Sequence, residues 1–365
     1  MSVLPGLHIS QLRLWKRKER IAFMRELLEI IGALPAGEEQ VAATVLEGIC
    51  AGEKAVYSGG RRVWEEKPGG YFSRLERLPE ENSTCGVRRD GETRVFWDVL
   101  GQEKRLVICG GGHVSVPVIR IGVMLGWRVT VLEDRPEFAN HARAAGAEEV
   151  LCMPFGEALE QVEGTTDTYF VVLTRGHRYD QICLEKIVKK EHAYIGMIGS
   201  RRRSALVRQN LREKGCDPEV LDQVASPIGL DIGAETPEEI GVAILAEIIG
   251  VKNRKRRTCG YPKEIRRAVL GEETQALRKV LVTIVERSGS APRSIGTKML
   301  VLEDGRLVGT IGGGCAEAAV QKKALQMMRE DVRGTRLFPV DMTGEDAEED
   351  GMVCGGRIEV LLERI

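Results

Sequence analysis

Between the apolar run Arg105-Leu106-Val107-Ile108-Cys109 and the helical stretch His113 to Leu125 lies Gly110-Gly111-Gly112, and this strand–turn–helix most restricts how the chain folds. Glycine lets a backbone turn tightly and approach a pyrophosphate closely, and the helix N-terminus offers free N–H groups and a positive dipole end to phosphate. An acid about twenty residues further on is expected to meet a ribose hydroxyl. Glu133, ending the run Arg128 to Glu133, is placed for that, with Asp134 beside it. Gly110 and Gly112 satisfy the first two glycines of a dinucleotide fingerprint, and Ser115, also small, stands at the third. The turn therefore predicts a bound nucleotide-like phosphate; a glycine turn without ligand is the blander reading. His113 has no counterpart in the fingerprint and reads as a phosphate or substrate contact, or as a plain helix-start residue.

The surrounding sequence supplies the fold. Residues 128–133, 168–173 and 193–198 read as strands separated by helical segments, which predicts a parallel sheet with helices on both faces. The predicted class is α/β: a Rossmann-like domain over 101–252, a linker over 253–275 that takes in the basic run Lys252 to Arg257, a small α+β domain over 276–365, and an N-terminal helical and mixed unit over 1–100. Ligands of open α/β sheets bind beyond the carboxyl ends of the strands. Two clusters fall there: Thr174 to Asp180 contributes Arg175, His177 and Asp180, and Gly196 to Arg203 contributes Gly199 and Ser200. The loop Ser226 to Glu239, whose glycines and Asp231 a helix start does not need, reads as a tight loop near a ligand. Positive charge at Arg201–Arg203 opposes a helix dipole, so either a bound anion or a solvated helix start accounts for it. Thr236, Pro237, Glu238 and Glu239 read as a helix start.

Composition excludes some functions. The 365 residues are 43% hydrophobic and 29% charged with a formal net charge of -1, which gives no global electrostatic case for nucleic acid or a membrane surface. No apolar run reaches the ~18 residues of a membrane span, and Met1 to Ser10 does not read as a secretory signal. Nine cysteines without a Cys-x-x-Cys pair argue against a disulfide framework or structural zinc and predict a cytoplasmic setting. In the N-terminal unit, the basic residues Arg13 to Arg20 read as a solvated helix start or a docking patch. Helical spacing follows over Ile21 to Ile31 and over Gln40 to Cys50, then short strands and turns.

The C-terminal domain carries a second glycine turn. Val280–Arg287 and Thr297–Leu302 read as strands, Cys315–Arg329 as a helix opened by Gly312, Gly313 and Gly314, and Arg357–Glu363 as a closing strand. A thiol at a helix N-terminus is biased toward thiolate, which can ligate a soft metal, attack, or carry sulfur. Cys354 lies in another glycine-rich loop. If the loops meet, Cys315 and Cys354 flank one anion-binding pocket with Arg293 and Lys298 nearby. Both cysteines can equally be small buried hydrophobes, Glu317 fits ordinary first-turn chemistry, and Glu345 to Asp350 reads as a solvated loop or a flap over the pocket.

Taken together, Gly110-Gly111-Gly112-His113-Val114, Asp134-Arg135-Pro136-Glu137-Phe138-Ala139-Asn140, Thr174-Arg175-Gly176-His177 with Asp180, Gly196-Met197-Ile198-Gly199-Ser200 and the Pro227 to Glu239 loop resemble the XdhC/CoxI family of accessory proteins for molybdenum hydroxylases. Ser288 to Arg293, Gly296 to Met299, Gly309 to Glu317 and Asp350 to Gly356 resemble that family's cysteine-bearing domain. The usual family order is reversed here, the cysteine-bearing domain coming last. In its customary place, Thr84-Cys85-Gly86 and the strand Arg94 to Val99 echo Val353-Cys354-Gly355 and the strand Arg357 to Glu363, as a degenerate first copy would; an unrelated helical unit is the alternative. The resemblance implies binding of molybdenum cofactor (molybdopterin), help in its sulfuration, and delivery to a xanthine dehydrogenase-like molybdenum hydroxylase. It implies a cysteine desulfurase as a further partner, a homodimer, and Cys315 and Cys354 as the residues that meet the metal or its incoming sulfur. Two rivals stand beside it. An NAD(P)-dependent oxidoreductase uses Gly110, Gly112 and Glu133, with His177 and Asp180 for a proton, and leaves both cysteines idle. A nucleotide-sensing module binds nucleotide without pterin.

Overall fold

The computed structural model describes residues 23–35, 38–78, 85–101, 104–254, 260–271, 274, 276–291, 293–332, 334–342 and 356–365, with Cys315 described by its backbone alone. The chain forms two compact units, one of residues 101–257 and one that combines 1–100 with 258–365.

The first segment opens with helix α1 (residues 23–33), which buries Met24, Leu27 and Leu28 at the expected spacing. Five strands follow: β1 (Gln40–Val45), β2 (Lys54–Ser58), β3 (Arg61–Glu65), β4 (Gly86–Asp90) and β5 (Thr93–Leu100). They pair antiparallel in the order β3-β2-β1-β5-β4. The helical pattern expected over Gln40–Cys50 is therefore a strand. β1 is central and all six of its residues are buried, so the polar–apolar alternation that marks a strand is erased.

The middle unit alternates β6 (Arg105–Cys109), α2 (Ser115–Met124), β7 (Arg128–Leu132), α3 (Pro136–Ala144), β8 (Glu149–Leu151), α4 (Phe155–Glu160), β9 (Thr168–Val172), α5 (His177–Ile187), β10 (Tyr194–Met197), α6 (Arg201–Glu213), α7 (Pro218–Gln223) and α8 (Pro237–Arg254). Its strands pair parallel in the order β10-β9-β6-β7-β8. Alternate residues feed opposite cores. Val107, Phe170 and Val172 face α4 to α7, and Ile108, Val131 and Val171 face α2 and α8. The order reverses between β6 and β9, which puts the switch point of the sheet beside the Gly110 turn.

The last segment runs α9 (Lys263–Leu270), β11 (Lys279–Ser288), β12 (Lys298–Leu302), β13 (Leu307–Gly309), α10 (Gly314–Arg329), β14 (Thr335–Asp341) and β15 (Arg357–Arg364). The stretch expected as a linker is thus partly helical: α8 continues to Arg254, and α9 buries Ile265 and Val269. The strands pair antiparallel in the order β13-β12-β11-β15-β14, the same pattern as the first sheet.

Two buried ion pairs join the first and last sheets. Lys54 Nζ lies 2.7 Å from Glu363 Oε1, and Lys298 pairs with Asp98. The registers make these pairs reciprocal. Lys54 stands opposite Thr44 as Lys298 stands opposite Thr283. Thr44 faces Phe96 and Thr283 faces Leu361, and Asp98 and Glu363 each follow two residues later on the same face. Lys298→Met leaves a buried, unpaired Asp98 and is expected to cost about 3–5 kcal/mol in urea unfolding, while Lys298→Met with Asp98→Leu recovers most of that loss.

Candidate functional site

The glycine turn is shaped by backbone contact. Gly110 has φ of 114°, and a Cβ there would lie 2.4 Å from the Leu173 carbonyl oxygen; one at Gly111 would lie 2.6 Å from that of Phe138. Both glycines are thus required by the close passage of β9's end and α3. Gly112 is different: a Cβ there would meet nothing within 4 Å. Ser115 is fully buried and donates to the Gly110 carbonyl at 2.7 Å, so its hydroxyl closes the turn where the fingerprint has a glycine. Val114, at the cap of α2, offers no side-chain acceptor to the helix N-terminus.

Glu133 does not face a ligand. It is fully buried, and its Oε2 accepts the Gly111 N–H at 2.7 Å while Oε1 accepts Arg135 N–H at 3.2 Å and Nε at 2.8 Å. The acid expected to meet a ribose hydroxyl instead braces the turn from inside. Asp134 is partly exposed and held by Arg175, whose two terminal nitrogens reach its oxygens at 2.5 and 2.8 Å. That guanidinium keeps the Asp134 carboxyl below the usual carboxylate range. Arg175 also lies 4.0 Å over the Tyr179 ring, and Arg135 lies 3.7 Å over Phe138. His113 is exposed, 6.5 Å edge-on from the Phe138 ring.

The neighbouring strand ends complete the edge. Asp180 is fully buried, accepts Thr174 Oγ1 at 2.5 Å and pairs with Arg203, so it ties the end of β9 to α5 and α6. Burial pushes its carboxyl upward in pKa, against the pull of Thr174, Arg203 and His177. His177 is exposed at the first turn of α5. Ser200 caps α6 by accepting the Arg203 N–H at 3.3 Å, with half-buried Gly199 before it. Asp231 is exposed on its loop, and Thr236 and Glu239 form the expected cap of α8: Glu239 Oε2 accepts the Thr236 N–H at 3.0 Å, and the Glu239 N–H returns to Thr236 Oγ1 at 3.3 Å. Sequence reasoning singled out Glu133 and Asp180 as ligand-facing, whereas the residues that fix them, Arg135, Thr174 and Arg203, were legible only as parts of longer motifs.

In the other unit, Gly313 at the cap of α10 and Gly314 at its first position hold φ of 75° and 66°, and a Cβ at either would meet nothing within 4 Å. Glu317 braces this turn much as Glu133 braces the first: its Oε2 accepts the N–H groups of Ile311 and Gly313, both at 3.2 Å, and Thr310 Oγ1 at 2.7 Å. Arg293 is exposed. Lys298 is committed to Asp98. Cys354, the acidic run Glu345 to Asp350 and the basic patch Arg13 to Arg20 lie outside the described residues. Among the described residues, no group of three or more His, Cys, Asp or Glu could hold a metal ion, and no helix is long and apolar enough to cross a membrane.

A parallel sheet with a glycine turn at its switch point, joined in one chain to a small domain with a second glycine turn, defines a Rossmann-type protein with an appended α+β domain. Residues 106–248 match the XdhC Rossmann domain and residues 274–339 match the XdhC and CoxI family. The chain belongs to the XdhC and CoxI family, with its Rossmann domain preceding the CoxI-type domain. The uncharacterized protein YqeB of Escherichia coli is 32% identical over 203 residues, 55% of this chain and 36% of that protein. A Bacillus subtilis protein named as a probable xanthine dehydrogenase component is 28% identical over 165 residues, 45% of this chain and 48% of the relative. The molybdenum cofactor insertion chaperone PaoD of Escherichia coli is 55% identical over 88 residues, 24% of this chain and 26% of its own length. The matches span between about a quarter and a half of these curated relatives.

The two kinds of glycine separate in experiment. Gly110→Ala is expected to cost about 1–3 kcal/mol of stability through overpacking. Gly112→Ala is expected to stay within about 0.5 kcal/mol of wild type while weakening any phosphate ligand of the turn, as read by unfolding and binding titrations in parallel. The Asp134–Arg175 pair contributes stability above the unfolded carboxylate pKa of about 3.9 and loses it as pH falls through the lower folded value. Asp134→Asn should therefore lower stability at neutral pH and flatten its fall below about pH 4 in acid unfolding curves.

Proposed function

We propose that this chain is an accessory protein of molybdenum-hydroxylase maturation, which holds molybdenum cofactor, assists its sulfuration and passes it to a xanthine dehydrogenase-like apoenzyme. The observation that carries this reading is the construction of the first turn. Its backbone is open to a phosphate at Gly112, while the acid that a dinucleotide site would turn to ribose is buried beneath it. That arrangement suits the phosphate of a pterin or pterin nucleotide and takes the ribose anchor from the NAD(P)-dependent oxidoreductase reading. The name of PaoD, a molybdenum cofactor insertion chaperone, supports the same cargo.

The roles divide between the two turns. At the first, N–H groups at the start of α2 bind phosphate, and His113, exposed beside Phe138, lies at its mouth. Arg175, already neutralised by Asp134, orients the rim. At the second, Cys315 in the first turn of α10 and Cys354 meet the metal or its incoming sulfur, the chemistry the cargo brings. Gly313 and Gly314 let that cargo approach the backbone, and Glu317 keeps the turn in shape. A cysteine desulfurase and the hydroxylase are the partners this requires, and the cytoplasm is its setting. A nucleotide-sensing module remains the second reading, favoured by the same open turn if nucleotide binds without pterin.

The test is expression in a host that makes molybdenum cofactor. Oxidation of the purified protein should release fluorescent pterin. Cys315→Ala and Cys354→Ala should lower activation of an apo-hydroxylase in vitro by at least tenfold, the effect of about 1.4 kcal/mol. Protein that carries no pterin and does not activate the apoenzyme would remove this reading.

A further inference from the structure

The first and last sheets agree beyond strand order. Ala55 faces Glu65 as Met299 faces Gly309. The loops then keep step: four residues on, Gly69 and Gly313 both take left-handed backbone, with φ of 77° and 75°. Two residues further, the last sheet has Cys315 in the first turn of α10, and the first sheet has Tyr71 opening a single 3-10 turn, Tyr71–Arg74. Tyr71 is buried, and its hydroxyl donates to Asp90 Oδ2 at 2.6 Å. Gly52 and Gly296 correspond as well: each donates its N–H back across its hairpin, to Val45 at 2.8 Å and to Ile284 at 2.7 Å. The same register pairs Cys85, just before β4, with Thr335, so the echo of Cys354 expected at Cys85 falls one strand too early.

The sheets meet through corresponding residues. Leu46 and Val285, Phe96 and Leu361, Val87 and Leu337 form one apolar cluster. The buried ion pairs are reciprocal, so each sheet carries both the lysine and the acid that the other needs. A face of that kind is self-complementary, as in a two-fold dimer. Arg94 breaks the symmetry, because its counterpart is Glu359. Arg94 pairs with Glu359 at 2.5 Å, with Glu286 at 3.1 Å and with Glu47, the counterpart of Glu286, at 3.0 Å. Two last sheets placed face to face would crowd four carboxylates at this point without a cation, which disfavours that pairing.

We propose that the first sheet is a second copy of the cysteine-bearing domain, kept as a built-in partner that fills the face through which two such domains would pair. It holds tyrosine where the other copy holds Cys315, so the chain presents that thiol once, and pairing between chains is left to other surfaces. Arg94 selects the partner in the same chain, and covalent linkage raises its effective concentration. The inference holds whatever Cys315 binds.

Lys54→Glu with Asp98→Lys reverses the charges of the first sheet alone in the full chain. Like charges then oppose each other at both buried pairs within a chain, whereas two reversed first sheets from different chains are complementary. Light scattering should show a concentration-dependent doubling of mass relative to wild type. Adding Lys298→Glu and Glu363→Lys restores both pairs with signs exchanged and should return the mass and the unfolding midpoint toward wild type. A double variant with wild-type mass and stability overturns the proposal. If the double variant precipitates, the fourfold variant decides: recovery supports the proposal and failure to recover overturns it.

Discussion

The carboxylate of Glu133 sits under the Gly111 N–H, out of reach of solvent, and the candidate site depends on that contact. A buried charge is tolerable only when its oxygens are matched by donors, and here a backbone N–H and the Arg135 side chain supply them. The consequence is a turn whose inner donor is occupied and whose outer rim at Gly112 is open. Arg135 in turn covers Phe138, and the Phe138 carbonyl excludes any side chain at Gly111. One buried side chain thus sets the turn, the start of α3 and the aromatic rim together. The second glycine turn repeats the device with Glu317.

Electrostatics also organises the other unit, by a different geometry. Lys54 and Lys298 lie deep between two sheets where an unpaired charge would be costly. Their acids come from the opposite sheet, so neither sheet satisfies its own charges. This pins the strand registers within each sheet, because a one-residue slip of β2, β5, β12 or β15 would turn its lysine or acid to the other face.

The middle unit was the most legible part of the chain. Its strands are short, apolar and punctuated by glycine or proline, and the structure places β6, β7, β9 and β10 on the expected runs. Parallel strands buried on both faces give unbroken apolar runs, a strong signal when helices alternate with them. The same burial misled at β1, where Gln40 to Val45 has no exposed face to reveal its period. Within the site, sequence spacing located Glu133 and Asp180 at strand ends but did not say which way they point. Direction came from partners far along the chain, Gly111 for one and Arg203 for the other. The helix α9 was hidden for a related reason: its polar composition masks two buried anchors, Ile265 and Val269, spaced one turn apart.

The division of the outer unit between the two ends of the chain has a temporal meaning. Asp98 and its partner Lys298 are 200 positions apart. At a translation rate of about 5–20 residues per second, the first sheet waits roughly 10–40 s on the ribosome before that partner exists. Through this interval it exposes Leu46, Phe96 and a bare carboxylate, while the middle domain, complete by Arg257, is free to fold. Nascent chains of this protein therefore pass through a stage with a finished parallel-sheet domain and a first sheet still short of its partner, the stage at which a holding chaperone would find the most to bind.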